Sequence, residues 1–394
     1  MTATPRISTD QRRARLARRH HLASEATASQ PEQVARSVVA VHATDPSTVH
    51  LSMAVRLGFP PVSVTEEALY ERRTLIRMLG MRRTMFVLPI ESAATVQAAA
   101  TDAIAERQRR LLLSHLERGS QHDDVWLAEV EKSTIEALAA RGSATASQLS
   151  SDEPRLRTQL LMAEGKKYET LANITTRVLT VLSAQGQIVR GRPRGSWISS
   201  QYAWWPIDAW VANGLPTVDP AEARVELARR WLAAYGPATI ADLTWWTGWN
   251  KGQVNAALRE IDTVTVDLDG AEGLVLVDDV DDLSPVESWV ALLPALDTTV
   301  MGWQQRGWYL GPHGPALFDT NGNAGPTVWC DGRVVGGWAQ CPDGRIAWRL
   351  LEDVGAENRE AVAAAAERLQ AWIGPIRFIP RFRTPLEKEL VGSG

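Results

Sequence analysis

The chain has 394 residues, 45% of them hydrophobic and 22% charged, with 28 Gly and 21 Pro. This balance excludes a disordered or fibrous protein, and the length predicts two to four modules. The net charge of −4 excludes a uniformly basic nucleic-acid binder, and no apolar run reaches the roughly 20 residues of a membrane span.

The charge is segregated along the chain. Arg6–His21 holds six Arg against one Asp, and Gln185–Trp205 holds three Arg and no acid. Glu260–Glu287 holds ten acids and neither Lys nor Arg, so the rest of the chain carries −4 + 10 = +6. Two readings stay open for the basic runs: solvated faces, or faces that hold phosphate. The basic N-terminus is followed by no apolar segment, so it is not read as a secretory signal. Cys330 and Cys341, without CxxC spacing, fit a reducing cytoplasm, with a lone disulfide as the less favoured alternative. Heavy use of Ala, Arg and Trp (16 Trp) points to a high-GC, actinobacterial type of genome.

In chain order, helices are predicted at 9–24, 31–42, 46–57 and 65–79, then a strand in MRRTMFVLP after a basic turn at Arg82-Arg83. The run VVAVHATDPSTVHL breaks between the second and third helices. Asp45 and Pro46 read as the N-cap and first position of the helix that follows. That explains neither His42 nor Thr44. On an extended segment residues i and i+2 share a face, whereas on a helix they diverge by about 200°. Pro46 pushes the residue before it away from the helical region, which favours the extended case. His50 lies on the next helix. Its spacing from His20-His21 matches no metal-ligand set, so no metal is expected.

Further on, the chain repeats itself. ALAARGSATASQLS (137–150) and WLAAYGPATIADLT (231–244) agree at seven of fourteen positions. Each reads as a helix ended by a left-handed Gly (142 or 236), then a helix capped by Thr145 or Thr239 with Leu149 or Leu243 inward. A helix is predicted over KYETLANITTRVLTVLSAQG, then a strand–turn–strand over QIVRGRPRGSWI. NKGQVNAALREI and TVTVDLDGAEGLVLV give the same order after the second copy. Helix, helix, helix and hairpin is the order of a winged helix. The fold class is therefore read as α+β: tandem winged-helix modules at 1–95, 96–215 and 216–283, then a β-rich, barrel-like unit at 284–394. That unit carries a helix at 356–373 and a short tail expected to be mobile at its end. The third wing is acidic, so not every copy is expected to face DNA. YAWWPIDAW and TWWTGW read as core or as stacking platforms.

Five landmarks occur in order: VVAVHATDP, MRRTMFVLP, ARRWLAAYGPATIADLTWWTG, LLPALDTTVMGW and PTVWCDGRVVG. On these, across roughly residues 9–385, the chain resembles the AlkZ-like family of bacterial winged-helix DNA glycosylases, which includes an azinomycin-resistance enzyme and relatives that unhook DNA crosslinks. The resemblance implies tandem winged helices around a DNA-sized cleft, with a β-barrel. It implies a monomeric, cytoplasmic, monofunctional DNA glycosylase needing no cofactor. Its partner would be double-stranded DNA carrying alkyl adducts, with bulky N7-guanine adducts of a genotoxic antibiotic as the expected substrate in a self-resistance role.

The family motif is Gln, an apolar residue, then Gln or Asp, followed by Asp-Pro. Here His42 and Thr44 stand at the two polar positions, so the resemblance makes them the catalytic pair and Asp45 and Pro46 the supporting motif. An N7- or N3-alkylated purine is cationic and leaves readily. The remaining work is to stabilise an oxocarbenium-like sugar and to hold a water. An imidazole with its ordinary pKa of about 6.5 can accept that water's proton. No Lys follows the motif closely, so lyase chemistry has no candidate. Arg82, Arg83, Arg190, Arg192, Arg194 and His50 are the expected DNA contacts. Two other classes stay open: a winged-helix regulator without chemistry, and a protein that sequesters free drug through its Trp-rich runs.

Overall fold

The structure, a computed structural model, describes residues 4–120, 122–162, 165, 169–380 and 382–392. Helix α1 (Thr9–Arg19) is followed by α2 (Pro31–Ser37), a short strand β1 (Val41–His42), α3 (Pro46–Arg56) and α4 (Val62–Glu66). A hairpin of β2 (Leu75–Gly80) and β3 (Thr84–Pro89) closes this unit, with β1 paired to β3 in the order β1-β3-β2. Two expectations change here. The helix expected at 31–42 stops at Ser37, because Val39 takes a left-handed φ of 64° and turns the chain into β1. The helix expected at 65–79 yields to β2 from Leu75. Every residue of LIRMLG is buried, and a short apolar run of that kind reads equally well as strand or helix until its partner is known.

Next come α5 (Ala93–Val96), α6 (Asp102–Ser120), α7 (Asp124–Arg141), α8 (Ala146–Asp152), a hairpin of β4 (Gln159–Met162) and β5 (Thr170–Asn173), and α9 (Thr175–Ala184). The helix expected from Lys167 forms only in its second half, because 170–173 pairs with β4 instead. Lys167 and Tyr168 lie outside the described residues. β6 (Ile188–Pro193) pairs with β7 (Tyr202–Pro206), so YAWWP and not GSWI supplies the second strand. Gly191 makes this possible: a Cβ there would meet Trp205 Nε1 at 2.5 Å.

α10 (Pro220–Tyr235), α11 (Ile240–Thr247), α12 (Lys251–Arg259), β8 (Thr263–Asp267) and β9 (Glu272–Leu276) repeat the arrangement. Thr145 and Thr239 both form capping boxes, with Gln148 and Asp242. The aligned Ala144 and Ala238 each bridge to the second strand of the following hairpin, at Trp204 and Leu274. β1 on β3 is the same connection in the first unit. Gly142 has the expected left-handed φ of 73°, but Gly236 is extended at φ −69° because Pro237 follows it.

β10 (Val290–Leu293), α13 (Gly307–Leu310), α14 (Gly314–Leu317), β11 (Thr327–Cys330), β12 (Arg333–Gln340) and β13 (Ile346–Leu350) lead to α15 (Gly355–Ile373) and α16 (Pro385–Gly392). The four strands form an open antiparallel sheet in chain order, and among the described residues they do not close into the expected barrel. α15 covers the sheet with Val362, Ala366, Leu369 and Ile373. The tail forms α16 and buries Leu386 and Leu390; its end, Ser393 and Gly394, where mobility was expected, lies outside the described residues. The fold mixes helix and sheet. Cys330 and Cys341 are buried free thiols. Among the described residues no helix is long and apolar enough to cross a membrane.

The segregated charges meet each other. Arg6 pairs with Asp269 at 2.7 Å, Arg15 and Arg19 both pair with Asp279, and Arg18 donates to the Ser284 carbonyl at 2.7 Å. The basic N-terminus thus lies on the acidic 260–287 stretch.

Candidate active site

Val41 and His42 form β1, and the chain bends at Thr44 and Asp45 before α3. β1 lies on β3, and Ala43 N donates to the Met85 carbonyl at 2.8 Å. Asp45 caps α3, accepting from Ser47 N at 2.9 Å and Ser47 Oγ at 2.7 Å, and Pro46 opens the helix. Thr44 is half-buried. His42 is 5% exposed, its ring edge-on to Phe86 at 5.6 Å. Its Nδ1 is buried and meets no hydrogen-bond partner among the described residues. Burial pushes the imidazole pKa down to about 3; nearby Arg82 acts the same way and Asp297 opposes it. His42 is therefore neutral at pH 7, and the ordinary pKa expected for it is corrected. It can exchange hydrogen bonds but retains a proton poorly.

A loop from the C-terminal unit holds both flanks of this segment. Thr298 Oγ1 donates to the Ala40 carbonyl and Thr48 Oγ1 to the Ala295 carbonyl, each at 2.8 Å. Arg56 of α3 grips Asp297 with two bonds of 2.9 and 2.8 Å, and both side chains are 0% exposed. Ser52 Oγ and Thr299 N complete the Asp297 carboxylate at 2.6 and 2.9 Å. Burial favours the neutral acid, but Arg56, Ser52 and Thr299 outweigh it and hold the carboxyl below its usual range. Arg77, buried on β2, donates to the Ala43 carbonyl at 2.5 Å. Sequence reasoning missed Ser52, Arg56 and Arg77. Their signal was weak: a charge inside an apolar run, its partner far along the chain.

The expected DNA contacts separate into three kinds. Arg192 is tied to Glu66 at 2.9 Å and Glu71 at 2.7 Å. Arg190 is half-buried, stacked on Tyr202 at 4.7 Å and near Trp204 at 5.4 Å. His50 is 3% exposed against Trp197, so its placement at the DNA surface is corrected. Arg83 and Arg194 are exposed. Arg82 is half-buried and lies over Trp245 at 3.8 Å. Burial, then Arg306, pushes the Arg82 pKa down to about 10. The Trp-rich runs are largely core: Trp204 and Trp246 are buried, with Trp205, Trp210 and Trp245 packed beside them.

The DNA glycosylase AlkZ-like family model matches residues 35–372. An interstrand DNA cross-link repair glycosylase from Streptomyces sahachiroi is 29% identical over 175 residues. That alignment covers 41% of this chain and 45% of the relative, under half the relative's length. The solved structure of the Streptomyces sahachiroi DNA glycosylase AlkZ is similar at a TM-score of 0.73 and 22% identity, over 95% of this chain and 100% of that one. At that identity the likeness concerns the fold.

Proposed function

The chain belongs to the AlkZ-like DNA glycosylase family, and on that premise we propose that it hydrolyses the N-glycosidic bond of alkylated purines in duplex DNA. The three repeated units are read as winged helices, at 1–95, 96–215 and 216–283, and the open sheet at 284–394 as a barrel-like relative of the family's barrel. The substrate class is bulky N7-guanine adducts, as a genotoxic antibiotic would leave them. His42 and Thr44 hold the attacking water. The water oxygen bonds to C1′ as the C1′–N9 bond breaks, the electron pair leaves with the purine, and the released proton passes to solvent. An imidazole held near 3 orients that water instead of keeping its proton. The observation that carries the reading is the buried, unpartnered His42 Nδ1 at the end of β1, just before the bend at Thr44 and inside the matched residues.

The test is a duplex carrying N7-methylguanine or a bulky N7 adduct, scored for alkali-labile sites under single-turnover conditions. Wild type should release base without cutting the strand. His42→Ala should slow release about a hundredfold and Thr44→Ala about tenfold, the range for a lost positioning group. The rate should stay flat between about pH 6 and pH 8, because His42 remains neutral there. Failure of the wild type on both adducts would end the enzyme reading. A His42→Ala enzyme as fast as wild type would end the assigned role alone.

A further inference from the structure

A cleft of about 630 Å³ opens between the β2–β3 turn, α6 and the α11–α12 turn. Arg82, Arg83, Arg107 and Arg224 line it, with Asn250 and Gln253 at the start of α12, and no Asp or Glu is among its lining residues. Among the described residues Arg83, Arg107 and Arg224 make no ion pair or side-chain hydrogen bond. This contrasts with Arg13, Arg15, Arg18 and Arg19 of α1 and with Arg192, which meet acids or carbonyls within the fold.

The local build presents these charges outward. Arg82 and Arg83 are consecutive left-handed residues, at φ 53° and 60°, a conformation that side chains other than Gly rarely adopt. Gly248 permits it: a Cβ there would lie 3.1 Å from Arg82 Cγ. The turn is thus pressed onto the third unit while Arg83 stays exposed. Arg177 of α9 lies close by; burial and then Arg83 disfavour its charge. Arg83, Arg107 and Arg224, gathered without a counter-ion among the described residues, repel one another until an anion arrives.

We propose that this cleft clamps successive phosphates of a duplex DNA backbone, a proposal that rests on the glycosylase reading. Guanidinium forks match phosphate oxygens two at a time. The first turn of α12 adds the partial positive charge of a helix start. Arg82 belongs to both places, lining the cleft and acting electrostatically on His42. Arg83 leads directly into β3, whose Phe86 pairs with His42, so a strand held at the cleft passes the sheet that carries the motif. The acidic third wing and α1 take no part.

The experiment measures binding of a short undamaged duplex by anisotropy at several salt concentrations, using the full chain with Arg83→Gln, Arg107→Gln, Arg224→Gln and the triple variant. Arg36→Gln, which removes a charge paired with Glu91, is the control. Each cleft variant should lower the slope of log K against log salt by about one, and the triple by about three. Unchanged melting temperatures establish that the variants fold. A triple variant with wild-type affinity and slope overturns the clamp. If the wild type releases no base while the triple variant still loses DNA, the clamp stands and the glycosylase reading falls.

Discussion

At the residue scale the Arg56–Asp297 pair decides how well the motif is held. Two fully buried charges are expensive to desolvate, and their attraction offsets that cost only with complete hydrogen bonding. Here both carboxylate oxygens are satisfied by Arg56, Ser52 and Thr299. Removing one partner leaves the other charge buried and alone. Asp297→Asn should therefore lower stability by about 3–5 kcal/mol, read from urea unfolding. The same loop anchors Ala40 and Thr48 on either side of His42, so base release should also slow at temperatures where the variant is folded. A variant that unfolds early yet, while folded, cleaves at the wild-type rate would show that the loop stabilises without positioning.

At the element scale the sequence was most legible where a signal is local. Asp45-Pro46 marks the start of α3, Thr145 and Thr239 mark two helix starts, and Asp331-Gly332 marks the tight turn between β11 and β12. Each of these needs only its neighbours. The charge runs were visible too, but their meaning depended on which run lies on which. Arg56 and Asp297 are 241 residues apart, and Arg192 meets a glutamate 126 residues away. No periodicity reports such a pairing. The same limit hid β2, whose apolar run looked helical until β3 was beside it. Helix α1 offers the corresponding test. Arg15 and Arg19 share Asp279, and Arg15 is 1% exposed. Asp279→Asn should destabilise the protein by about 2 kcal/mol, the cost of leaving a buried charge short of a partner. It should leave the salt dependence of DNA binding unchanged, because α1 faces protein. A changed salt slope would move α1 to the DNA side.

For the whole molecule, buried titratable groups set how stability follows pH. His20, His42 and His50 are each pushed to about 3 by burial first, with nearby arginines adding to it. Glu387 goes the other way: burial raises it to about 7, and Asp45 adds to the rise. Between roughly pH 4.5 and 6.5 the unfolded chain protonates the three imidazoles, while the folded chain holds one extra proton, on Glu387. For these four groups the difference is 3 − 1 = 2 protons bound on unfolding. A depressed histidine contributes stability that is whole above its unfolded pKa and lost as pH falls. A raised carboxyl contributes stability present at low pH and lost as pH climbs through 7. The histidines win in this window, so stability should rise with pH by about 3 kcal/mol per unit, two protons' worth. Glu387→Gln should steepen that dependence to about three protons. His50→Gln, which changes a ring packed on Trp197 outside the motif, should flatten it to about one. Denaturant unfolding followed by tryptophan fluorescence at pH 5, 5.5 and 6 reads all three slopes. A wild type whose stability is level across that range would mean that the imidazoles protonate without unfolding, and His42 would then be a basic group after all.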